Sequence, residues 1–111
     1  VGGSQLIARV IKMYLDVTPG KLAEMRAALA AGDAAALTAA AHFLKSGSAS
    51  LGLLAFAELH KSIERLGKAG NLRSAALAVS RLDAQYAAAA HALQQVAGAE
   101  RTSGSQATFA P

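Results

Sequence analysis

Apolar residues recur at three- and four-residue intervals along most of this chain, which is the pattern of amphipathic helices. The first such stretch predicts a helix that ends near Thr18 and Pro19. Thr18 is then suited to cap a second, short helix with Pro19 at its first position, and Gly32 ends that helix. The apolar positions of these two helices are Leu6, Ile7, Val10, Ile11, Tyr14, Leu15, Leu22, Met25 and Leu29.

Three further helices are predicted downstream, each with a single apolar stripe. Asp33 is the predicted N-cap of the third helix, which runs to Gly52, and the fourth helix ends between Gly67 and Gly70. Asn71 is suited to cap the fifth helix. The three stripes consist of Leu37, Ala41, Leu44, Ser48 and Leu51, then Phe56, Leu59, Ile63 and Leu66, and then Leu72, Val79, Leu82, Tyr86, Leu93 and Val96.

Single apolar faces and short connections favour antiparallel packing of neighbouring helices. The predicted fold is therefore all-α, an antiparallel up-and-down four-helix bundle with the first helix as an additional N-terminal cover helix. We expect residues 5–97 to form this bundle. Residues 98–111 contain Ser, Thr and Gly without apolar periodicity, and they are predicted to be a disordered tail or linker.

Composition narrows the class of protein further. A length of 111 residues suits one domain, and a hydrophobic fraction of 53% that is rich in alanine, with only two prolines, favours helices. No apolar stretch is long enough to span a membrane, and no signal peptide is recognisable at the start, although the missing initiator Met suggests a piece of a longer protein. The chain has no cysteine, which excludes thiolate chemistry, and its net charge of +4 is spread over all segments, which argues against nucleic-acid binding. We expect a cytoplasmic protein without direct membrane contact.

His42 is the residue whose placement points most clearly to chemistry. At about 100° per residue, it lies roughly 140° from the centre of the apolar stripe set by Leu37 and Leu44, so it should point outward. Lys45, one turn further on, supplies a cation. The surrounding helix surface consists of small residues that would let another protein approach the imidazole, namely Ala35, Thr38, Ala39, Ser46 and Ala49.

Glu64 is predicted to lie beside this histidine. If the third and fourth helices form a hairpin that turns near Gly52 and Leu53, residues equally far from the turn face each other, and Glu64 then lies opposite His42. A carboxylate there can accept the Nδ1 proton and leave Nε2 with its lone pair outward, as a nucleophile requires. The alternative is that Glu64 only forms salt bridges with Lys61 or Lys68 on its own helix.

The segment from His42 to Gly52, HFLKSGSASLG, resembles the central motif of the histidine phosphotransfer (HPt) domain of multistep phosphorelays. The matching residues are His42, Leu44, Lys45, Ser46, Gly47, Ser48 and Gly52. The resemblance extends over residues 5–97 and implies that His42 is the phosphoacceptor, that Lys45 supports the phosphoryl group and that Glu64 holds the imidazole. One position departs from the family, which usually has Gly where this chain has Ser46. Ser46 either slows or re-aims the partner, or its hydroxyl bonds the phosphoryl group.

The resemblance also implies a function in two-component signal transduction. His42 would accept a phosphoryl group from the aspartate of a receiver domain, in cis or in trans, and pass it to another receiver. Ala35, Thr38, Ala39 and Ala49 would belong to the docking surface, and Mg²⁺ would be needed on the receiver only, so that the domain has no cofactor of its own. Such a domain is not an enzyme by itself, and we expect it to belong to a hybrid sensor histidine kinase, at the cytoplasmic end of a membrane-bound sensor, or to be a free-standing carrier.

The same residues also allow other interpretations. The small-residue face could instead belong to a phosphorylation-independent docking module that binds and restrains a non-receiver partner. The histidines lack the spacing of a helical metal site; His60 is predicted to be partly buried and hydrogen-bonded, and His91 exposed. Phe43 is either covered by the first helix or part of the docking surface. The chain has no Gly-rich phosphate loop or nucleophile elbow, which argues against an autonomous enzyme.

Overall fold

The computed structural model describes the backbone of residues 2–109 and the side chains of residues 5–99. Within this range the chain forms helices and no strand, which confirms the predicted all-α class. The helices are α1 (Gly2–Ala31), α2 (Ala34–Ser50), α3 (Leu54–Lys68), α4 (Leu72–Val79) and α5 (Leu82–Phe109). None of the described helices combines the length and the hydropathy needed to span a bilayer.

The predicted break at Thr18 and Pro19 is wrong, because α1 continues through both residues. Thr18 is fully buried, and its hydroxyl donates to the carbonyl of Tyr14 at 2.6 Å instead of capping a new helix. Pro19 has no N–H for the carbonyl of Leu15, one turn earlier. The hydroxyl of Tyr86 on α5 lies 3.4 Å from that carbonyl and donates to it instead. The predicted cover helix is therefore the N-terminal half of the same helix that enters the bundle.

The predicted fifth helix is also divided differently. A turn at Ser80 and Arg81 separates α4 from α5 and allows both Val79 and Leu82 to be buried in the core. The Ser80 hydroxyl donates to the carbonyl of Leu77, a local bond of the kind that competes with helix continuation.

The C-terminal segment continues the last helix, because α5 extends beyond Gly98 as far as Phe109. Ala97 is the last core residue among the described side chains, in contact with the same small cluster as Leu93. That residues 98–111 form a tail or linker outside the bundle stays a prediction, and residues 110 and 111 lie outside the described range.

The hairpin between α2 and α3 forms as the sequence predicts. The Asp33 carboxylate caps α2 by accepting from the amide of Ala36 at 3.0 Å. Gly52, with φ of 75°, follows the C-cap residue of α2 in the left-handed conformation that glycine tolerates best. Asn71 caps the next helix through the amide of Ser74 at 3.2 Å.

The core lies between α1, α2, α3, α4 and the start of α5. Its largest fully buried apolar side chains are Met25, Leu37, Leu44, Ile63 and Leu82. A smaller cluster of Ile11, Leu93 and Ala97 joins the N-terminal half of α1 to α5. Leu6, Ile7 and Val10, which were predicted to share the buried face of the first helix, are exposed.

Helices α2 and α3 lie in close contact at Gly67. A Cβ on Gly67 would overlap Oγ1 of Thr38, whose hydroxyl donates to the carbonyl of Ala34 at 2.7 Å and is held there. Gly67 is one turn after Glu64 on α3. The absence of a side chain at Gly67 therefore lets α3 lie close enough for Glu64 to reach α2.

We expect Gly67→Ala to lower the free energy of unfolding by about 1–3 kcal/mol, because the added methyl group forces Thr38 or the helix to move. Gly20→Ala is the matched control, since nothing lies within 4 Å of its Cβ position, and alanine in a helix interior should stabilise by up to about 1 kcal/mol. Urea denaturation of both variants measures the difference. Adding Thr38→Ala should recover part of the loss at Gly67, and equal effects of the two glycine substitutions would contradict the close approach.

His60 is fully buried, and the prediction that it is partly buried and hydrogen-bonded is wrong. Its ring packs edge-on against Phe56 with the ring centres 4.3 Å apart, and neither nitrogen has a hydrogen-bond partner among the described residues. The cause is spacing, because His60 lies four residues after Phe56 and three before Ile63, on the same face of α3. Burial lowers the pKa of His60 from 6.5 to about 4.

A histidine whose pKa is lowered by folding takes up its proton more readily in the unfolded chain, so stability falls as the pH drops from about 6.5 toward 4. At 1.36 kcal/mol per pKa unit, the full loss for His60 is about 3 kcal/mol. We expect His60→Leu to remove most of this pH dependence, measured by urea denaturation at pH 7 and pH 5. The exposed His91→Leu is the control, and a wild-type slope in the His60 variant would refute the assignment.

Candidate functional site

His42 lies on the outer face of α2. The opposite face of the helix packs in the core through Leu37, Ala41 and Leu44, which are almost fully buried. The side chain of His42 is consequently 62% exposed, with the small residue Ala39 beside it. The imidazole can therefore be reached from solvent, as the helix angle predicts.

Glu64 on α3 lies beside His42, where the hairpin register places it. Its Oε2 is 2.7 Å from Nδ1 of His42, and the Glu64 side chain is only 8% exposed. The hydrogen bond from Lys45 lowers the pKa of Glu64 to about 2; burial opposes this effect, and the His42 bond and the charges of Lys45 and Lys68 reinforce it. The carboxylate is therefore ionised at neutral pH and can only accept. Nδ1 must donate to it, so the neutral ring has its lone pair on Nε2.

Two lysines share this carboxylate with the histidine. Nζ of Lys45 donates to Oε1 of Glu64 at 2.7 Å, and Nζ of Lys68 lies 3.5 Å from Oε2. Within the described residues, Lys61 makes no ion pair with Glu64. Glu64 therefore binds the imidazole of His42 and also pairs with Lys68 on its own helix, so the salt bridge accompanies the predicted contact and does not replace it.

A groove between α2 and α3 extends from one side of His42, and we refer to it as the α2–α3 groove. It contains three of the four residues predicted for docking, Ala35, Thr38 and Ala39. Ala49, the fourth, is exposed further along α2 and does not line the groove. The α2–α3 groove is lined by Ala34, Ala35, Thr38, Ala39, His42, Glu64, Gly67 and Lys68.

A second groove, between α1 and α2, lies on the other side of His42 and was not predicted. The large apolar side chains in its walls are exposed to solvent: Met13 is 61%, Val17 44% and Phe43 51% exposed. Phe43 is thus not covered by α1, although Nζ of Lys21 lies 4.6 Å above its ring centre. This α1–α2 groove is lined by Met13, Tyr14, Val17, Thr18, His42, Phe43, Leu44, Ser46 and Gly47. One feature of the sequence could have indicated this groove: Leu6, Val10, Met13 and Val17 form a second apolar stripe with helical spacing, on a different face of α1 from Ile11.

Ser46 and Gly47 have different structural tasks. Gly47 lies next to the ring of Tyr14, and a Cβ at this position would be 3.6 Å from the ring. The Tyr14 hydroxyl is hydrogen-bonded to the buried Ser48 hydroxyl at 2.6 Å. Burial raises the pKa of Tyr14, so that its hydroxyl remains protonated. Ser46 is exposed at the rim of the α1–α2 groove. The serine that replaces the expected glycine therefore adds a hydroxyl to the surface beside His42 and takes no part in the core.

The described side chains contain no group of three or more His, Cys, Asp or Glu that could hold a metal ion. His60 is enclosed in the core. His91 is exposed on α5, whereas His42 is on α2. The chemistry that this surface offers is thus that of one accessible imidazole nitrogen with a carboxylate and two lysines behind it.

Comparison with protein families gives one finding. The family model of the Hpt domain matches residues 9–99, which include His42, Lys45, Glu64 and both grooves. Searches of curated proteins and of solved structures gave no match. Since the match extends over most of the chain, the chain belongs to the Hpt domain family, whose members are phosphotransfer modules of phosphorelays that interact with receiver domains.

Proposed function

We propose that this chain transfers a phosphoryl group between receiver aspartates through Nε2 of His42. One observation carries the proposal: the exposed imidazole is held at Nδ1, 2.7 Å from a buried and ionised Glu64. This contact fixes the tautomer in which Nε2 is unprotonated and directed away from the carboxylate. An imidazole without such a partner would spend part of its time with the proton on Nε2, where it cannot attack phosphorus.

The transfer step balances without any further group on this chain. The lone pair of Nε2 attacks the phosphorus of the receiver's aspartyl phosphate, and the N–P bond forms as the P–O bond to the aspartate breaks. The electron pair of that bond returns to the aspartate carboxylate. Nδ1 keeps its proton and its bond to Glu64, whose negative charge balances the positive charge that develops on the ring. Transfer to the next receiver is the reverse of this step.

Catalysis of phosphoryl transfer depends mainly on positioning and on neutralising charge. In this proposal Mg²⁺ is bound by the receiver and neutralises the transferred group, whereas Lys45 balances the phosphoryl charge once the group is on His42. We assign to the exposed hydroxyl of Ser46, at the rim of the α1–α2 groove, the role of a donor to the phosphoryl group. The chain itself supplies the acceptor atom and a surface for docking.

The two grooves support docking of a protein on both sides of His42. A receiver that brings its aspartate to Nε2 would cover the exposed apolar side chains of Met13, Val17 and Phe43 in the α1–α2 groove. The small side chains of Ala35 and Ala39 permit close approach from the α2–α3 groove. We place Thr38 and Ala49 at the edges of the same docking surface.

The cellular setting follows from the family as a further proposal. We place this domain in a cytoplasmic two-component phosphorelay, as a module of a hybrid sensor histidine kinase or as a separate carrier. The competing proposal is a module that docks on and restrains a non-receiver partner without phosphorylation, since the exposed apolar patch beside His42 fits that task too.

Incubation with a phosphorylated receiver and Mg²⁺ is expected to label the wild type with an acid-labile, base-stable adduct, and to leave His42→Gln unlabelled. His91→Gln is the matched control, because His91 is also exposed on a helix, and it should be labelled like the wild type. A receiver that binds both the wild type and His42→Gln without labelling either one would favour the docking module. Label on His42→Gln would remove His42 as the acceptor.

Glu64→Ala is expected to slow transfer by about 10- to 100-fold while leaving the helical content unchanged, because Glu64 orients the imidazole and misplacement of a reacting group is costly. Rapid-quench measurement of transfer from the receiver gives the rate, and circular dichroism checks the fold. Glu58→Ala removes an exposed carboxylate from the same helix and should keep the wild-type rate. An unchanged rate for Glu64→Ala would exclude it from the site.

A further inference from the structure

Lys45 is already engaged before any phosphoryl group arrives. Its Nζ donates to Oε1 of Glu64 at 2.7 Å, behind the ring, whereas a phosphoryl group on Nε2 would lie at the opposite, outer end of the imidazole. A phosphoryl group adds about −1.5 to −2 charges at neutral pH. That charge draws the Lys45 ammonium outward, away from Glu64.

Movement of Lys45 would leave Glu64 poorly compensated. The carboxylate is 8% exposed, and a buried charge that loses its partner is strongly unfavourable. Apart from the more distant Lys68, the N–H of His42 on Oε2 would then be the remaining partner of the carboxylate, beside a newly added anion. Phosphorylation of His42 and pairing of Glu64 therefore compete for the same lysine.

Lys68 is placed to relieve this competition. It is one turn after Glu64 on α3, its Nζ is 3.5 Å from Oε2, and its side chain is 67% exposed and free to adjust. It lines the α2–α3 groove together with His42 and Glu64. The other cations of α3 close to Glu64 in sequence, Lys61 and Arg65, form no ion pair with it within the described residues.

We propose that Lys68 is a positioning residue that takes over as the counterion of Glu64 when Lys45 turns toward the phosphoryl group on His42. The exchange keeps Glu64 charged and bound to Nδ1 while Lys45 neutralises the phosphoryl group. This inference rests on the proposed function and assigns to Lys68 a task specific to the phosphorylated state. Before phosphorylation Lys45 is the closer partner of Glu64, at 2.7 Å, and Lys68 reinforces it from 3.5 Å.

Lys68→Gln is therefore expected to shorten the half-life of phosphorylated His42 by about two- to five-fold, the range that corresponds to one partly exposed ion pair. Lys68→Arg should restore the wild-type half-life because it keeps the charge. Lys61→Gln is the matched control, since it removes the same charge from the same helix and should leave the half-life unchanged. In the unphosphorylated protein, Lys68→Gln should leave Nδ1 protonated and bonded to Glu64, as followed by its ¹⁵N resonance, because Lys45 still pairs with the carboxylate.

The experiment uses phosphoramidate, a small phosphoryl donor, and follows phosphohistidine by ³¹P NMR, so that it does not depend on finding the cognate receiver. A shortened half-life in Lys68→Gln, with Lys61→Gln and Lys68→Arg like the wild type, supports the exchange. Equal half-lives for Lys68→Gln and Lys61→Gln would overturn it. It is also overturned if Lys68→Gln already breaks the bond between Nδ1 and Glu64 before phosphorylation, because the role of Lys68 would then be structural.

Failure of the proposed function gives a different result. If phosphoramidate labels His42 in the wild type but no phosphorylated receiver does, the relay between receivers is refuted, and the comparison of Lys68→Gln with Lys61→Gln still decides the exchange. If neither donor labels His42 in the wild type, both proposals are overturned.

Discussion

The hydrogen bond between Nδ1 of His42 and the buried carboxylate of Glu64 is the contact on which the chemistry of this surface depends. It joins two helices, and it exists because α2 and α3 come close together at Gly67, where any side chain would meet Thr38. A carboxylate so poorly exposed would normally tend to be protonated. Lys45, His42 and Lys68 together outweigh that tendency and keep Glu64 ionised. Glu64 therefore links the packing of the α2–α3 hairpin to the charge of the site.

Much of the fold and the centre of the site could be predicted because they depend on local features of the sequence. Asp33, Gly52 and Asn71 set helix boundaries by capping and turn chemistry that act within a few residues. The outward direction of His42 follows from helix periodicity alone. Its pairing with Glu64 follows from counting equally from a short turn, since α2 and α3 form a regular antiparallel hairpin.

The remaining features depend on contacts between residues distant in sequence, which periodicity does not reveal. Pro19 is tolerated inside α1 while Tyr86 of another helix donates to the carbonyl that Pro19 leaves unpaired. Leu6, Ile7 and Val10 were predicted to be buried but are exposed, because the packing of Ile11 against α5 determines which face of α1 is covered. Likewise, Lys61 and Lys68 are equivalent candidates by spacing, and only the side-chain positions distinguish them.

The passage of α1 through Pro19 divides that helix into two parts with unequal support. The part after Pro19 is anchored in the main core by Leu22 and Met25, whereas the part before it packs on the small cluster around Ile11 and contacts the main core through Tyr14. Backbone amides ahead of Pro19 should therefore exchange with deuterium sooner than those behind it. Since Met13 and Val17 lie on the more weakly held part, one wall of the α1–α2 groove has less packing behind it than the hairpin that keeps Glu64 and His42 in register.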